Sequence, residues 1–363
     1  MRVVHLHRIG GIGGSERHLL TLLPALAGRG VDVFFLGLDD LRRAPDPFYE
    51  ALGTTGVGYT RLPCPRNLDP GLLRRVSREL RRLEPDVVHT HLVHADVYGG
   101  LATRAPLVST KHNDDPFRAG PFRFVERALT HRARRVICIT GALARFNHER
   151  VGLPAGKLEV IHYGLDAPPQ AWRADEGPGP AAGRRVVLAI CRLEPQKGVD
   201  VAIRALPEIL AAEETAMLVV LGEGPQRAEL EGLASSLGVA DSTYLPGRVG
   251  DVTAWLERAE LVLHPVRWEG FGLALLEAMR ARRAVVATCV SSIPEIVVDG
   301  ETGIVVAPDR ADTIAGAVTE LLADDELRTR LGAAGYTRAR REFSVARMIE
   351  RTLEVYERSS AAR

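Results

Sequence analysis

The sequence is short of cysteine, lysine and uncharged runs. Its 363 residues hold four cysteines, Cys64, Cys138, Cys191 and Cys289, scattered without paired spacing. That argues against a disulfide frame or a zinc site and for a reduced, cytosolic chain. Lysine stands at only three of 47 basic positions, Lys111, Lys157 and Lys197, a bias that fits a GC-rich genome better than a function. No stretch of 18 residues is free of charge, so no transmembrane helix is expected. The opening MRVVHLHRIGG is broken by His5, His7 and Arg8 and does not read as a signal peptide. Hydrophobic residues at 46% and charged residues at 26% are ordinary for a globular protein, which excludes wholesale disorder, collagen and coiled coil. The length suggests two domains, each able to bury a core.

Net charge is +1, unevenly spread. Residues 1–170 carry 24 basic against 17 acidic residues, and residues 171–363 carry 23 against 29. The basic half suits an anionic partner or a membrane surface, or simply an attractive field between two domains. No nucleic-acid motif accompanies it.

Apolar periodicity lays strands at 2–7, 31–38, 87–91, 107–112 and 136–140. Helices separate them near 15–27, 71–83, 95–104, 121–133 and 141–150. Residues 167–183, rich in Pro, Gly and Ala, break the rhythm as a linker would. Alternation then resumes with strands at 185–190, 217–222, 242–246, 261–265, 284–288 and 303–306. Helices close the chain near 310–323, 326–341 and 344–358. Strand–helix alternation of this kind predicts α/β architecture, two doubly wound parallel-sheet domains of Rossmann-like form. Ligands in such sheets lie beyond the carboxyl ends of the strands, so a site is expected in a central cleft that the two sheets face.

The strongest chemical signal is Glu269-Gly-Phe-Gly-Leu-Ala-Leu-Leu-Glu277. It places Gly270, Phe271, Gly272 and Leu273 in a loop at the start of a helix. Glycines there let backbone N–H groups approach a ligand, and carboxylates suit the hydroxyls of a sugar and a ribose. Taken alone, Glu277 is better explained as a solvated helix residue. Arg192 and Lys197 follow the strand at 185–190, five residues apart in a turn with Pro195 and Gly198. Such a pair can face a diphosphate and neutralise charge developing on it. The loop Gly10–Gly14 fits G-x-G-x-x-G poorly, because Glu16 stands where the last glycine belongs.

Glu269 and Glu277 around an internal Gly-Phe-Gly, trailed by Ala278-Met279, resemble the E-x7-E motif of GT-B retaining glycosyltransferases. Gly13-Gly14-Ser15-Glu16, Cys191-Arg192-Leu193 through Lys197-Gly198, Gly222-Glu223-Gly224-Pro225 and Ile293-Pro294-Glu295 extend the likeness across both domains. The chain is similar to family 4 of those enzymes, the group 1 glycosyltransferases. The resemblance implies a GT-B fold with an acceptor-binding domain over 1–167 and a donor-binding domain over 168–343. It also implies that a last helix over about 344–363 packs back on the first domain.

The resemblance implies catalytic roles for His112, Arg192, Lys197 and Glu269. It implies donor contacts from Gly13, Gly14, Val249, Gly270, Phe271, Gly272, Leu273 and Glu277, and acceptor contacts from Glu16, Asn113 and His91. Tyr163 stands where the family commonly has Asn. No Asp-x-Asp occurs, so no metal and no resident cofactor are expected. The implied reaction moves a sugar from a nucleotide sugar, UDP-linked first and GDP-mannose second on family frequency, to a small-molecule, lipid-linked or glycan hydroxyl. Domain closure would exclude water. A sugar-nucleotide 2-epimerase and a non-catalytic nucleotide-sugar binder are the rivals on the same fold; a hydride-transferring Rossmann enzyme ranks third. The chain is expected in the cytoplasm. Arginine-rich segments 71–83 and 116–135, the latter with Phe117, Phe122 and Phe124, offer a peripheral membrane face or an ordinary solvated one.

Overall fold

The computed structural model describes residues 1–66, 69–114, 116–121, 123–166, 179–250 and 252–361. Most of the expected linker lies outside them. The chain divides into two compact units, Met1–Gly164 with Val345–Arg363, and Leu165–Ser344.

Unit 1 is built on seven strands: β1 (Arg2–Ile9), β2 (Asp32–Asp39), β3 (Gly58–Pro63), β4 (Val87–His91), β5 (Leu107–Lys111), β6 (Ala133–Cys138) and β7 (Leu158–Val160). The helices between them are α1 (Gly14–Ala27), α2 (Asp46–Gly53), α3 (Pro70–Leu83), α4 (Leu92–Ala102), α5 (Arg123–Arg132) and α6 (Gly141–Phe146). The strand order is β3-β2-β1-β4-β5-β6-β7, all parallel. Central strands β4 and β5 are buried along their whole length, as a parallel sheet covered on both faces requires. Helix α3 shows how sequence sets an element. Asp69 caps it by accepting from the Gly71 N–H, Pro70 opens it, and Leu72, Val76, Leu80 and Leu83 form the buried stripe. Sequence periodicity places no element between residues 38 and 71, yet α2 and β3 lie there. The one is a short helix and the other an exposed edge strand, so neither has a long buried period to read.

Unit 2 holds β8 (Arg185–Ile190), β9 (Ala216–Leu221), β10 (Thr243–Gly247), β11 (Ala259–His264), β12 (Ala284–Thr288) and β13 (Ile304–Val306). Its helices are α7 (Val199–Ala212), α8 (Arg227–Ser236), α9 (Val252–Arg258), α10 (Leu273–Arg280), α11 (Ile293–Ile296), α12 (Ala311–Ala323) and α13 (Asp325–Glu342). The order β10-β9-β8-β11-β12-β13 is again all parallel. The last helix, α14 (Val345–Ala361), belongs to unit 1. Its Met348, Ile349, Val355 and Tyr356 join the core formed by Val3, Leu19, Val87 and Val108.

Each sheet changes winding direction once, between β1 and β4 in unit 1 and between β8 and β11 in unit 2. The loops beyond those strands are where a doubly wound sheet opens a crevice.

Candidate functional site

In unit 2, the two strands flanking the switch point deliver one compact charged group. Lys197 ends the turn after β8, and Glu269 lies in the loop after β11. Lys197 Nζ donates to Glu269 Oε2 at 2.6 Å, with side chains only 11% and 13% exposed. His264, the last residue of β11, brings Nε2 to 3.4 Å from the same oxygen. Burial alone would raise the Glu269 carboxyl. The His264 imidazole and the Lys197 ammonium outweigh it and hold the carboxyl at about 2. The carboxylate is therefore ionised at neutral pH, and two of the three Lys197 donors remain for another anion.

The two loops are stapled together. Arg267 donates its backbone N–H to the Gln196 carbonyl at 2.8 Å. Its guanidinium reaches the Pro195 carbonyl at 2.6 Å and grips Asp200 of α7 through two bonds of 2.9 and 2.8 Å. Gln196 Nε2 donates to the Trp268 carbonyl at 2.9 Å. Ser292 Oγ donates to the carbonyls of Glu269 and Phe271 at 3.1 and 3.3 Å. Gly198 sits at φ 62°, and a Cβ there would fall 2.0 Å from the Pro265 carbonyl oxygen. Only glycine allows the Lys197 turn to lie this close to the Glu269 loop. Gly222 and Gly224 serve likewise, since added Cβ atoms would meet the Cys191 and Leu193 carbonyl oxygens at 1.8 and 2.3 Å.

Other residues singled out from sequence fall around this group. Gly270, Gly272 and Leu273 lead into α10, with Gly272 at its N-cap. Phe271 is buried edge-on against Phe343, ring centres 6.1 Å apart. Glu277 is 4% exposed, so the reading of it as a solvated helix residue is wrong: α10 turns that side of itself into the unit. Arg192 is 60% exposed and bonded to Glu194 at 2.6 Å. Val249 is half-buried beyond β10. Arg267, Asp200 and Ser292 were not singled out from sequence; the proximity of Arg267 to Glu269 was the available signal.

In unit 1 the switch point gathers imidazoles. His91 Nε2 lies 3.0 Å from His5 Nδ1, and His91 Nδ1 lies 3.0 Å from His112 Nε2. His112 Nδ1 is hydrogen-bonded to the Tyr163 hydroxyl. His89 lies between the Tyr356 hydroxyl and Thr110 Oγ1, at 2.6 Å from each. His18 of α1 stacks on Tyr163 with ring centres 4.2 Å apart. Burial, reinforced by neighbouring imidazoles, pushes His5 and His18 down to about 3, and His89, His91 and His112 well below the ordinary value. These rings are neutral at physiological pH. His7 joins the His91 carbonyl to Glu16 Oε1, both at 3.1 Å. Glu16 Oε2 in turn takes the Gly13 N–H at 2.9 Å, so this residue caps α1, the helix that Gly14 begins.

Beside the imidazoles lies a buried ion network that sequence reading missed. Lys111 Nζ meets Asp96 at 2.6 Å and Glu126 at 3.0 Å, and Arg118 grips Glu126 and Asn147. Arg118 also donates to the Asn113 carbonyl. Arg118 is 1% exposed, so it leaves the basic face proposed for 116–135. Its charge is neutralised inside the unit. Phe124 is 60% exposed; Phe122 lies outside the described residues. In α3, Arg74, Arg78, Arg81 and Arg82 are exposed over a buried apolar stripe.

Residues 171–338 match the family model of glycosyl transferases group 1, and residues 12–167 match that of glycosyltransferase family 4. A GDP-mannose-dependent alpha-(1-6)-phosphatidylinositol monomannoside mannosyltransferase of Mycobacterium tuberculosis is 36% identical over 353 residues, covering 90% of this chain and 86% of that protein. An alpha-D-kanosaminyltransferase of Streptomyces kanamyceticus is 32% identical over 356 residues, covering 86% and 92%. Among solved structures, Anabaena Alr3699/HepE in complex with UDP and glucose superposes with a TM-score of 0.84 at 21% identity, covering 99% of this chain and 100% of that one. The fold class expected from sequence is thus the fold of the chain.

Proposed function

The chain belongs to glycosyltransferase family 4, and on that footing we propose that it transfers a sugar, with retention of configuration and without a metal, from a nucleoside diphosphate sugar to an acceptor hydroxyl. The observation that carries this reading is the Lys197–Glu269 pair at the switch point of unit 2, 2.6 Å apart and nearly enclosed. Glu269 and the backbone of 270–273 hold the sugar hydroxyls, and Glu277 takes the ribose. Lys197, joined by Arg192 when donor binds, draws charge onto the diphosphate as the C1–O bond breaks. The electron pair leaves with the phosphate oxygen. The acceptor oxygen bonds C1 from the same face, and its proton passes to the departing phosphate. No protein nucleophile is required.

Unit 1 supplies donor contacts from Gly13 and Gly14 and the acceptor side from Glu16 and Asn113, with His112 beside the reacting carbon and His91, both ring nitrogens engaged, behind it. Both ring nitrogens of His112 are engaged within the unit, so its part is to shape the pocket rather than to take the proton. The GDP-mannose-dependent relative at 36% identity makes GDP-linked sugars as proper a test as UDP-linked ones. The acceptor is a small-molecule, lipid-linked or glycan hydroxyl, and the exposed arginines of α3 offer a peripheral contact with an anionic membrane in the cytoplasm. Among the described residues, no helix is long and apolar enough to cross a membrane.

A thermal-shift panel of UDP-, GDP-, ADP- and dTDP-sugars tests the reading. A true donor at 100 times its Kd adds about 2.7 kcal/mol to stability. No shift with any nucleotide sugar would defeat it.

A further inference from the structure

The imidazoles of unit 1 form a chain rather than a cluster. From the sheet's carboxyl edge inward it runs Tyr163, His112, His91, His5, Tyr356, His89 and Thr110. Each neutral imidazole carries one N–H and one lone pair. Each link uses one of each, so the protons of the whole chain must point the same way.

Two distances choose the direction. Tyr356 has one proton to give and two imidazole neighbours, His89 Nδ1 at 2.6 Å and His5 Nε2 at 3.3 Å. The short contact is the O–H···N bond, and the long one is His5 N–H donating to a weaker phenol acceptor. Because every link points the same way, Tyr163 at the other end then donates to His112 Nδ1. With both phenols donating to Nδ1 atoms, His112, His91, His5 and His89 each hold their proton on Nε2. His112 Nε2–H donates to His91, His91 Nε2–H to His5, His5 Nε2–H to Tyr356, and His89 Nε2–H to Thr110 Oγ1.

We propose that Tyr163, His91, His5 and Tyr356 are positioning residues that act as one head-to-tail hydrogen-bonded chain, locking His112 in its neutral Nε2–H tautomer and fixed ring orientation. The effect on turnover rests on the function proposed above; the tautomer pattern does not. Nδ1 and Nε2 atoms of His5, His89 and His91 also come within 4.8 Å of one another, as a metal site would need. In the chain, however, each Nδ1 lone pair already accepts a proton.

Histidine-15N spectra of the full chain test this. The expected result is the Nε2–H pattern at all four histidines. Tyr356→Phe keeps the ring but removes the hydroxyl joining His5 to His89. It should change the tautomer signal of His112, which it does not touch, while circular dichroism stays unchanged. Tyr163→Phe should do the same from the other end and lower kcat by roughly tenfold or more, as a misassigned tautomer does elsewhere, with donor KM within about twofold. An Nδ1–H pattern at His112, or a His112 signal indifferent to Tyr356→Phe, would overturn the chain. So would stoichiometric Zn²⁺ uptake that displaces the His5, His89 and His91 signals. If the signals shift as expected but kcat does not, the positioning role is overturned while the donor site in unit 2 stands or falls on the thermal-shift panel.

Discussion

Lowering the pH should unfold unit 1 before unit 2, because five buried imidazoles in unit 1 refuse the protons that an unfolded chain accepts. His5, His18, His89, His91 and His112 all have folded values below the ordinary 6.5, about 3 for His5 and His18. A group held low in this way leaves stability intact above 6.5. It costs stability as pH falls from 6.5 toward the folded value, because the unfolded state then binds more protons. One pH unit below 6.5, each such imidazole costs about 1.4 kcal/mol. Five acting independently would cost about 7 kcal/mol, against a domain stability of ~5–15 kcal/mol. The carboxylates of Glu16, Glu126 and Glu269 have lowered values. Their contributions are present above 4.5 and lost only below it, so they do not soften the transition between pH 6.5 and 4.5. The assay can separate the units, because Trp255 and Trp268 lie in Leu165–Ser344 and the sequence has no tryptophan in Met1–Gly164 or Val345–Arg363. Far-UV circular dichroism should lose a first step between about pH 6 and 4.5 while tryptophan fluorescence holds. A single transition seen equally by both probes, or full ellipticity retained at pH 4, would refute the reasoning.

Three substitutions probe the rest of the structure. Gly198→Ala forces a Cβ against the Pro265 carbonyl at a left-handed residue; it should cost about 2 kcal/mol or more and weaken donor binding, checked by thermal melting and calorimetry. Lys111→Met leaves Asp96 buried without its cation and Glu126 with Arg118 alone, and should cost about 3–5 kcal/mol in a denaturant melt. Glu269→Gln removes a charge but keeps the shape. It should lower turnover at least tenfold, and it should abolish any stability lost between pH 4.5 and 2 that Glu269 supplies, since its carboxyl is held at about 2.

The long buried strands and the glycine-rich loops after β1 and β11 were legible in the sequence, because burial on two faces leaves continuous apolar runs and close approach leaves glycine. The Lys197–Glu269 neighbourhood was legible too, though as two separate loops rather than as a bonded pair. What sequence could not show were contacts between residues that only the fold brings together. The Arg267 staple between loops depends on carbonyls of Pro195 and Gln196, which no side-chain pattern announces. Lys111 ends β5 next to His112, and its side chain takes the other face of the sheet, where Asp96 and Glu126 bind it. Arg118 read as part of a basic surface because its neighbours in sequence are arginines; its partners lie on α5 and beyond α6. His91 and His112 were named as site residues, but their linkage to His5 and His89 was not legible, since only the β1–β4–β5 register brings them into line.

Release of nucleoside diphosphate from the nucleotide sugar that gives the largest thermal shift, compared between the native chain and Lys197→Ala, tests the donor site most directly. The account predicts a fall of roughly 100-fold or more in turnover for the variant, with a melting temperature within a few degrees of the native chain. Turnover by Lys197→Ala at the native rate, or a loss matched by equal loss of folding stability, would contradict it.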